Sequence, residues 1–319
     1  MSILFRADSS STIGTGHIMR DLVLADQFKD DNIIFATQDL SGNINHKIAE
    51  KDYVIEILNS NNIEELIEII KKHSIEMIVI DHYGIDHDYE KVLKEVTGVT
   101  VFVLDDTYEK HYCDILLNHN ISANPTKYMG LVPENCEIRC GVKYTLLRDE
   151  FKIIKKTPRD ISGKDTLTVF IAMGGADHTN RNIDILKVIN KLGNIKENVV
   201  TTRANKYLNE LEAYTREHEN VNVHIDTDKI ASLMNESDFA IVTPSVTVNE
   251  VLFMRLPFIA IQTADNQNDI AEYLEDHNFQ VLRSYDVNDL VHAVKTITDI
   301  KYYSDTLINI DAVLKDKVY

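Results

Sequence analysis

Residues 3–17 read ILFRADSSSTIGTGH, and this stretch decides which fold the sequence predicts. Its first five residues form a short apolar run typical of a buried strand, and a loop of small residues follows. A segment of helical periodicity begins near His17 and places four apolar side chains on one face, at Ile18, Leu22, Ala25 and Phe28. A strand, a glycine-containing loop and a helix in this order predict the opening of a parallel α/β domain.

The same alternation of β-branched runs and helical segments continues along nearly the whole chain in two series. The first series predicts strands at residues 3–7, 32–36, 53–57, 76–80, 99–104 and 114–117. The second series predicts strands at residues 167–172, 198–202, 221–225, 239–242, 258–261 and 280–282. Helices are predicted at residues 183–192, 268–275 and, at the end of the chain, 302–319. This pattern predicts two doubly wound α/β domains with parallel sheets.

The length of the chain supports this division, since 319 residues are about twice a typical domain of ~150 residues. We predict two Rossmann-like domains at residues 1–150 and 151–319, with the charged stretch 152–160 as a linker or a surface helix. Open parallel sheets bind ligands at the carboxyl ends of their strands. The two sheets are therefore expected to face a cleft that holds the ligand.

The composition limits the partners of the protein. Lys and Arg total 33 and Asp and Glu total 51, so the formal net charge is −18 at pH 7. This charge argues against nucleic acid, because nucleic-acid affinity comes largely from cations that neutralise phosphates. A single small anion is still allowed, since helix N-termini hold phosphate without a basic patch. The chain has no apolar run of membrane-spanning length and only three cysteines, which predicts a cytoplasmic protein without a membrane partner.

The first loop carries a candidate catalytic histidine. Gly14 and Gly16 permit positive φ angles and close backbone approach, but Met19 stands where a dinucleotide-binding fingerprint needs glycine. His17 lies in the first turn of the predicted helix, where the helix N-terminus lowers the pKa of an imidazole. A neutral imidazole is the form that a general base requires near pH 7. The alternative is a solvent-facing or capping histidine.

Polar residues follow two later strands of the first series. Asp81 and Tyr83 come after the strand at 76–80, and an Asp-Asp pair at 105–106 comes after the strand at 99–104. Tyr83 could donate a hydrogen bond to a substrate, and Asp81 could orient His17 or His82. The alternative is that these aspartates cap helices or form Asx turns.

Glycines also follow the first strand of the second series. Gly174 and Gly175 let backbone N–H groups approach phosphate oxygens, although an ordinary βα turn uses glycine as well. Asn180 is the predicted N-cap of the helix that follows.

Two further loops of the second series carry candidate binding residues. Ser245 and Thr247 could cap a helix and contact phosphate, and Glu250 could accept hydrogen bonds from two ribose hydroxyls. A capping box between Thr247 and Glu250 is the competing structural explanation. The polar loop at 264–268 is open to either interpretation, as a plain loop or as a substrate site.

The spacing of histidines and cysteines predicts no metal site and no cofactor. His82 and His87 lack the i,i+4 spacing of helical metal ligands, and the pair Cys136 and Cys140 has no second ligand pair after it. No G-x-S-x-G motif supports serine-hydrolase chemistry either.

Several segments together resemble one enzyme family. They are residues 4–20, 80–85, 113–118, 140–141, 147–151 and 173–175, together with the pairs Asn249-Glu250 and Asn266-Gln267. In order and spacing they resemble the UDP-2,4-diacetamido-2,4,6-trideoxy-β-L-altropyranose hydrolases of pseudaminic acid biosynthesis. The resemblance runs along most of the chain. One departure is the loop before Glu250, where this chain has Pro244, Val246 and Val248 and the family usually has smaller residues.

The resemblance implies a fold, a reaction and a set of site residues. The implied fold is the glycosyltransferase-B architecture, and the implied reaction is inverting attack of water on the anomeric carbon with release of UDP. His17 matches the general base, while Tyr83 and Asn266 match positions that contact the reacting sugar. The remaining implied substrate or UDP contacts are Arg6, Asp8, Gly14, Gly16, Gly174, Gly175, Ser245, Thr247, Glu250 and Gln267. No metal or cofactor takes part, and the protein is expected to be a monomer whose partner is the UDP-sugar.

Three other functions remain open at this point. A glycosyltransferase would use the same architecture with an acceptor hydroxyl in place of water. A non-hydrolysing nucleotide-sugar epimerase would need several acid and base side chains around the sugar. A non-catalytic sugar-nucleotide sensor would bind the ligand without turnover.

Overall fold

The chain folds into two compact units in a computed structural model that describes residues 1–315. The first unit comprises Met1–His119 and Ala123–Leu146. The second comprises Asn120–Ser122 and the described residues from Leu147 onward. Each unit is built on one parallel sheet with helices on its faces.

The first unit has a seven-stranded sheet in which every neighbouring pair is parallel. Its strands are β1 Ser2–Ala7, β2 Asn32–Gln38, β3 Val54–Leu58, β4 Met77–Asp81, β5 Thr100–Leu104, β6 Ile115–Asn118 and β7 Glu137–Cys140. They are ordered β3-β2-β1-β4-β5-β6-β7, so the direction of winding reverses between β1 and β4. The carboxyl ends at such a reversal are where open α/β sheets bind ligands.

Helices cover both faces of this sheet because the strand residues alternate between two cores. The helices are α1 Gly16–Ala25, α2 Asn45–Ala49, α3 Ile63–His73 and α4 His87–Thr97. Ile3 and Phe5 belong to one buried cluster together with Ile18 of α1. Leu4, between them, belongs to the cluster that includes Leu66 of α3 and Leu93 of α4. Burial on both faces explains why the strands read as continuous apolar runs.

The second unit repeats this plan with a six-stranded parallel sheet. Its strands are β8 Leu167–Ala172, β9 Ile195–Thr201, β10 Val221–Ile225, β11 Phe239–Val242, β12 Phe258–Ile261 and β13 Gln280–Leu282. The order is β10-β9-β8-β11-β12-β13, so the reversal lies between β8 and β11. The helices are α5 Asp149–Ile153, α6 Arg181–Leu192, α7 Leu208–Arg216, α8 Ile230–Glu236, α9 Val246–Phe253, α10 Asn268–Asp276, α11 Val287–Ile297 and α12 Ile300–Leu314.

The predicted fold class is confirmed, and the twelve predicted strands are all present within a few residues of the predicted bounds. The prediction missed β7, a four-residue edge strand that reads Glu-Ile-Arg-Cys, because two charged residues leave it without an apolar run. The predicted terminal helix at 302–319 begins earlier, as α12 at Ile300, and residues 316–319 lie outside the described residues.

The charged stretch 152–160 is an extended connection that begins in the last turn of α5. It is held in place by Arg159, whose guanidinium donates to the carbonyls of Met234, Asn235, Ser237 and Met254. Among the residues that the structure describes, no helix is long and apolar enough to cross a bilayer.

Candidate active site

The loop after β1 is a closed turn, and it positions His17 in the first turn of α1. Ser10 and Gly14 exchange backbone hydrogen bonds, and the Ser10 hydroxyl accepts from the amides of Thr12 and Ile13. Gly14 has a φ of +88°, a value that glycine adopts at little cost. These four amides are satisfied within the loop, and the contact of Gly14 and Gly16 with substrate stays a prediction.

His17 is held in one tautomer by the main chain at the end of β4. Its Nδ1 lies 3.2 Å from the carbonyl oxygen of Asp81. A carbonyl only accepts hydrogen bonds, so the neutral imidazole carries its proton on Nδ1 and keeps its lone pair on Nε2. Nε2 is therefore the atom that can accept a proton.

Burial keeps His17 neutral. Desolvation lowers the pKa of His17, the carboxylates of Asp81 and Asp106 act against it, and the cation of Arg20 acts with it. The direction agrees with the prediction from sequence, but the main cause is burial and not the helix N-terminus. The result is an imidazole in the form that a general base requires at neutral pH.

Tyr83 lies beside this imidazole and is open to solvent. The two rings meet edge to face with their centroids 4.9 Å apart. The Tyr83 hydroxyl donates to Oδ1 of Asp106 over 2.9 Å, and 66% of the residue is exposed. Desolvation, followed by the negative charge of Asp106, raises the pKa of Tyr83. Tyr83 is thus a neutral phenol next to His17, where a ligand can contact it.

The hydrogen-bond partners of the aspartates that follow the strands differ from those expected from the sequence. Asp81 contacts His17 through its main chain, while both of its carboxylate oxygens accept from Arg20. His82 does not bind Asp81, since its Nε2 lies 3.1 Å from Oδ2 of Asp8. Asp105 forms the Asx turn that was the alternative, accepting from the amides at 107 and 108. The expected orienting role of Asp81 therefore falls to its carbonyl group.

Arg6 and Asp8 form a buried ion pair beneath the loop. They are 0% and 1% exposed, and two hydrogen bonds of 2.7 and 2.8 Å join them. Burial alone would raise the pKa of Asp8, but the hydrogen bonds from His82 and Arg6 outweigh it and lower the pKa. The structure brings these side chains to each other and seals them from solvent. Their contact with substrate stays a prediction, and their visible role is to fix the end of β1.

Gly174 and Gly175 serve different purposes after β8. Gly174 has a φ of +80° and open space where a Cβ would lie. At Gly175 an added Cβ would lie 2.9 Å from Cγ2 of Thr202. The Gly175 carbonyl accepts from the amide and hydroxyl of Thr202 and from the hydroxyl of Thr201. Gly175 is thus small because it packs against the end of β9, whereas the space beside Gly174 is open, and its contact with the diphosphate stays a prediction.

The predicted N-cap of α6 is wrong in one respect. Asn180 occupies the N-cap position, but its side chain makes no capping hydrogen bond. Asp177 does so instead, since its carboxylate accepts from the amides of Arg181 and Asn182. This carboxylate neutralises the helix N-terminus, so α6 is a poor phosphate site.

The capping box between Thr247 and Glu250 does not form. Ser245 is the N-cap residue of α9 and Thr247 lies inside the helix, and no side-chain hydrogen bond caps α9 within the described chain. The first amides of α9 therefore lack the side-chain acceptor that α6 has.

Glu250 is bound to a cation instead. Nε and one terminal nitrogen of Arg148 both donate to its Oε1, at 3.2 and 2.8 Å. Burial raises the pKa of Glu250, and Arg148 acts in the opposite direction. Since both hydrogen bonds from Arg148 use one oxygen, Oε2 can accept from another donor.

Asn266 and Gln267 lie in a short 3-10 turn, Asp265–Gln267, between β12 and α10. The side chain of Asn266 is exposed. Gln267 braces the loop, because its Oε1 accepts from the amide of Thr263 over 2.8 Å. The contact of both residues with substrate stays a prediction.

Sequence reasoning missed two arginines that bind site carboxylates. Arg20 is a buried arginine one turn after His17 on α1, and both Arg20 and Arg148 entered the sequence analysis only as parts of the matching segments 4–20 and 147–151. A buried cation near strand-ending aspartates is the signal that could have indicated Arg20, since buried charges are usually paired.

Comparison with known proteins identifies the family of this chain. No protein-family model matches the chain. A UDP-2,4-diacetamido-2,4,6-trideoxy-β-L-altropyranose hydrolase of Campylobacter jejuni is 41% identical over 285 residues, which cover 89% of this chain and 100% of the relative.

Solved structures show the fold. MurG of Acinetobacter baumannii has a TM-score of 0.66 and 12% identity, over 98% of this chain and 94% of its own. Anabaena Alr3699/HepE in complex with UDP-glucose has a TM-score of 0.68 and 12% identity, over 99% and 95%. These likenesses confirm the predicted glycosyltransferase-B fold class. With the identity to the Campylobacter enzyme, they lead to the conclusion that this chain belongs to the family of UDP-2,4-diacetamido-2,4,6-trideoxy-β-L-altropyranose hydrolases.

Proposed function

We propose that this protein hydrolyses UDP-2,4-diacetamido-2,4,6-trideoxy-β-L-altropyranose to UDP and the free sugar. The observation that carries the proposal is His17, whose Nδ1 is occupied by the Asp81 carbonyl so that Nε2 is a free proton acceptor. The 41% identity to the Campylobacter hydrolase over nearly its whole length supports the choice of substrate.

In the proposed mechanism, water attacks the anomeric carbon of the sugar with inversion of configuration. The bond from the water oxygen to this carbon forms while the bond from the carbon to the UDP oxygen breaks, and its electron pair leaves with UDP. Nε2 of His17 takes the proton of the attacking water, a contribution on the order of 10²–10⁴-fold. Tyr83 and Asn266 orient the sugar.

The second unit supplies the nucleotide contacts in this proposal. The backbone at Gly174, the hydroxyls of Ser245 and Thr247 and the amides at the start of α9 stabilise the negative charge that develops on the diphosphate. Both hydrogen bonds from Arg148 go to Oε1 of Glu250, which leaves Oε2 available. In this proposal Oε2 accepts hydrogen bonds from the ribose hydroxyls. No metal ion is part of the proposal.

An assay of UDP release without any acceptor tests the reaction. The purified protein is incubated with the diacetamido-trideoxy sugar nucleotide and, as a matched comparison, with UDP-N-acetylglucosamine and UDP-glucose. We expect release of UDP from the first substrate and little from the others. Release only after addition of an acceptor would make the protein a transferase, and binding without release would make it a sensor.

Isotope labelling tests the position of attack. Reaction in ¹⁸O-labelled water is expected to place the label in the sugar product, since attack is at carbon. Label in UDP would show attack at phosphorus and would contradict the role of His17.

A monomeric state and a cytoplasmic location complete the proposal. Light scattering coupled to size-exclusion chromatography tests the first, and a mass of twice 36.4 kDa would contradict it.

A further inference from the structure

We propose that Arg20 is a positioning residue. Through Asp81 and Asp106 it fixes the positions of the His17 and Tyr83 side chains for the reaction. The inference rests on the proposed function for its kinetic test. It concerns a buried hydrogen-bond network in the first unit, and Arg20 is not among the residues proposed to contact the substrate.

One guanidinium binds two carboxylates, one at the end of β4 and one in the loop after β5. Nε and a terminal nitrogen of Arg20 donate to Oδ2 and Oδ1 of Asp81, over 2.6 and 2.5 Å. The other terminal nitrogen donates to Oδ2 of Asp106 over 2.9 Å. Three of its donors are thus used in one plane, a pattern that a planar fork can make and an ammonium group cannot.

Each of these carboxylate residues contacts one candidate catalytic group. The Asp81 carbonyl accepts a hydrogen bond from Nδ1 of His17, and the Asp106 carboxylate accepts one from the Tyr83 hydroxyl. Arg20 therefore ties the end of β4 to the loop after β5, and in doing so fixes the separation of the imidazole and the phenol. A displacement of about 1 Å in such groups can lower the rate ~100-fold.

Burial makes this arrangement sensitive to loss of a partner. Arg20 is 8% exposed and Asp81 is 1% exposed. Removing one member of a buried pair is strongly destabilising, because the other charge is left uncompensated. The conservative change Arg20→Lys keeps the charge and removes the fork geometry, so it is the appropriate variant.

The pKa values of two other buried titratable groups around the network are shifted toward the neutral form. Asp21 is 0% exposed, and burial followed by the charge of Asp81 raises its pKa. His119 is also buried, which lowers its pKa to about 3. With Tyr83 neutral, the charges that face His17 are those of Arg20, Asp81 and Asp106.

These charges predict opposite effects for two substitutions. The negative charge of Asp106 raises the pKa of His17, so Asp106→Asn should lower it and move the acid limb of kcat/KM to lower pH. The amide of this variant keeps an oxygen for the Tyr83 hydroxyl and loses the acceptor for Arg20, since its NH2 group only donates. Arg20→Lys retains the positive charge, so the limb should stay near its wild-type position while kcat falls.

The experiment compares wild type, Arg20→Lys, Asp106→Asn and the control Arg139→Lys, whose arginine pairs with Glu137 on strand β7. For each, circular dichroism melting establishes the folded fraction, calorimetry gives the Kd of UDP, and UDP release gives kcat and KM against pH. We expect kcat of Arg20→Lys to fall about 10–100-fold at an unchanged Kd for UDP. The control should match wild type within twofold.

Proton chemical shifts of the histidine rings give a readout that does not need turnover. The His17 resonance, assigned by its loss in His17→Gln, should titrate at lower pH in Asp106→Asn than in wild type. A kcat of folded Arg20→Lys within threefold of wild type, or an unmoved His17 titration in Asp106→Asn, would overturn the inference. An inactive wild type with the expected titration shift would instead refute the proposed function alone.

Discussion

The loops after β1 and after β8 occupy the same place in their sheets and are built for opposite purposes. Each follows the strand at which the winding direction reverses. In the first loop the Ser10 hydroxyl accepts from two loop amides, and the group left for chemistry is the imidazole of His17. In the second, Gly174 leaves open space beside the backbone. In the proposed function, one topological position thus supports side-chain chemistry in one unit and backbone recognition in the other.

The largest effect is expected from removal of the His17 imidazole. In His17→Gln we expect kcat to fall about 10²–10⁴-fold, because the proton acceptor for water is lost. The Kd of UDP, measured by calorimetry, should not change, since the nucleotide contacts are proposed for the second unit. The control is His46→Gln, at an exposed histidine of α2. Near-normal turnover in His17→Gln would refute the role of this residue as the base.

Glu250→Gln tests the nucleotide contacts proposed for the second unit. We expect the Kd of UDP to rise about 10–100-fold, consistent with ~1.5–3 kcal/mol for a hydrogen bond to a charged group, while kcat at saturation stays close to wild type. Glu150→Gln is the matched control, because Glu150 pairs with the same arginine, Arg148.

The ribose contact itself is checked with a modified ligand. Wild type should bind UDP more tightly than 2′,3′-dideoxy-UDP, and Glu250→Gln should lose most of this preference. Equal preference in both proteins would mean that Glu250 acts only through Arg148.

The two glycines after β8 should respond differently to alanine. Gly174→Ala forces a side chain into the left-handed region, at a cost of about 1–2 kcal/mol, and should weaken UDP binding several-fold. Gly175→Ala creates a contact with Thr202 and should mainly lower the melting temperature. Adding Thr202→Ser, which removes Cγ2, should restore part of the loss in Gly175→Ala but none in Gly174→Ala. Rescue of both variants would contradict the division of roles.

The smallest expected effect is in the pH profile of wild type. The neutral form of His17 is the active one, and an ordinary imidazole titrates near pH 6.5. Because burial lowers the pKa of His17, kcat/KM should stay constant on going down through pH 6.5 and fall only at lower pH. The profile is measured with UDP release under subsaturating substrate. An acid limb above pH 6.5 would assign the titration to another group.

The sequence predicted what depends on local pattern. β11, β12 and β13 have the predicted bounds, because each is an apolar run ended by polar or turn residues. The positions of His17, Tyr83, Gly174 and Glu250 after strands followed from the same pattern and from the rule that ligands bind at strand ends. The half-exposed strand β7 had no such pattern and was missed.

The hydrogen-bond partner of each site side chain could not be predicted from the sequence. Asp81 could bind His17, His82 or Arg20, and only the three-dimensional register places the guanidinium of Arg20, 61 residues away, on its carboxylate. The capping of α6 by Asp177 in place of Asn180 is a similar case, since both are good capping residues and the turn geometry decides between them.

The buried carboxyl group of Asp21 links folding to proton uptake. Burial raises its pKa, so the folded chain retains a proton there at pH values at which the unfolded chain, with an ordinary aspartate, has released it. Folding therefore takes up a proton at this site. The contribution of Asp21 to stability is complete below the ordinary pKa of aspartate and is lost as the pH rises through the raised value. The stability of the first unit thereby gains a dependence on rising pH that originates in its core and not in its acidic surface.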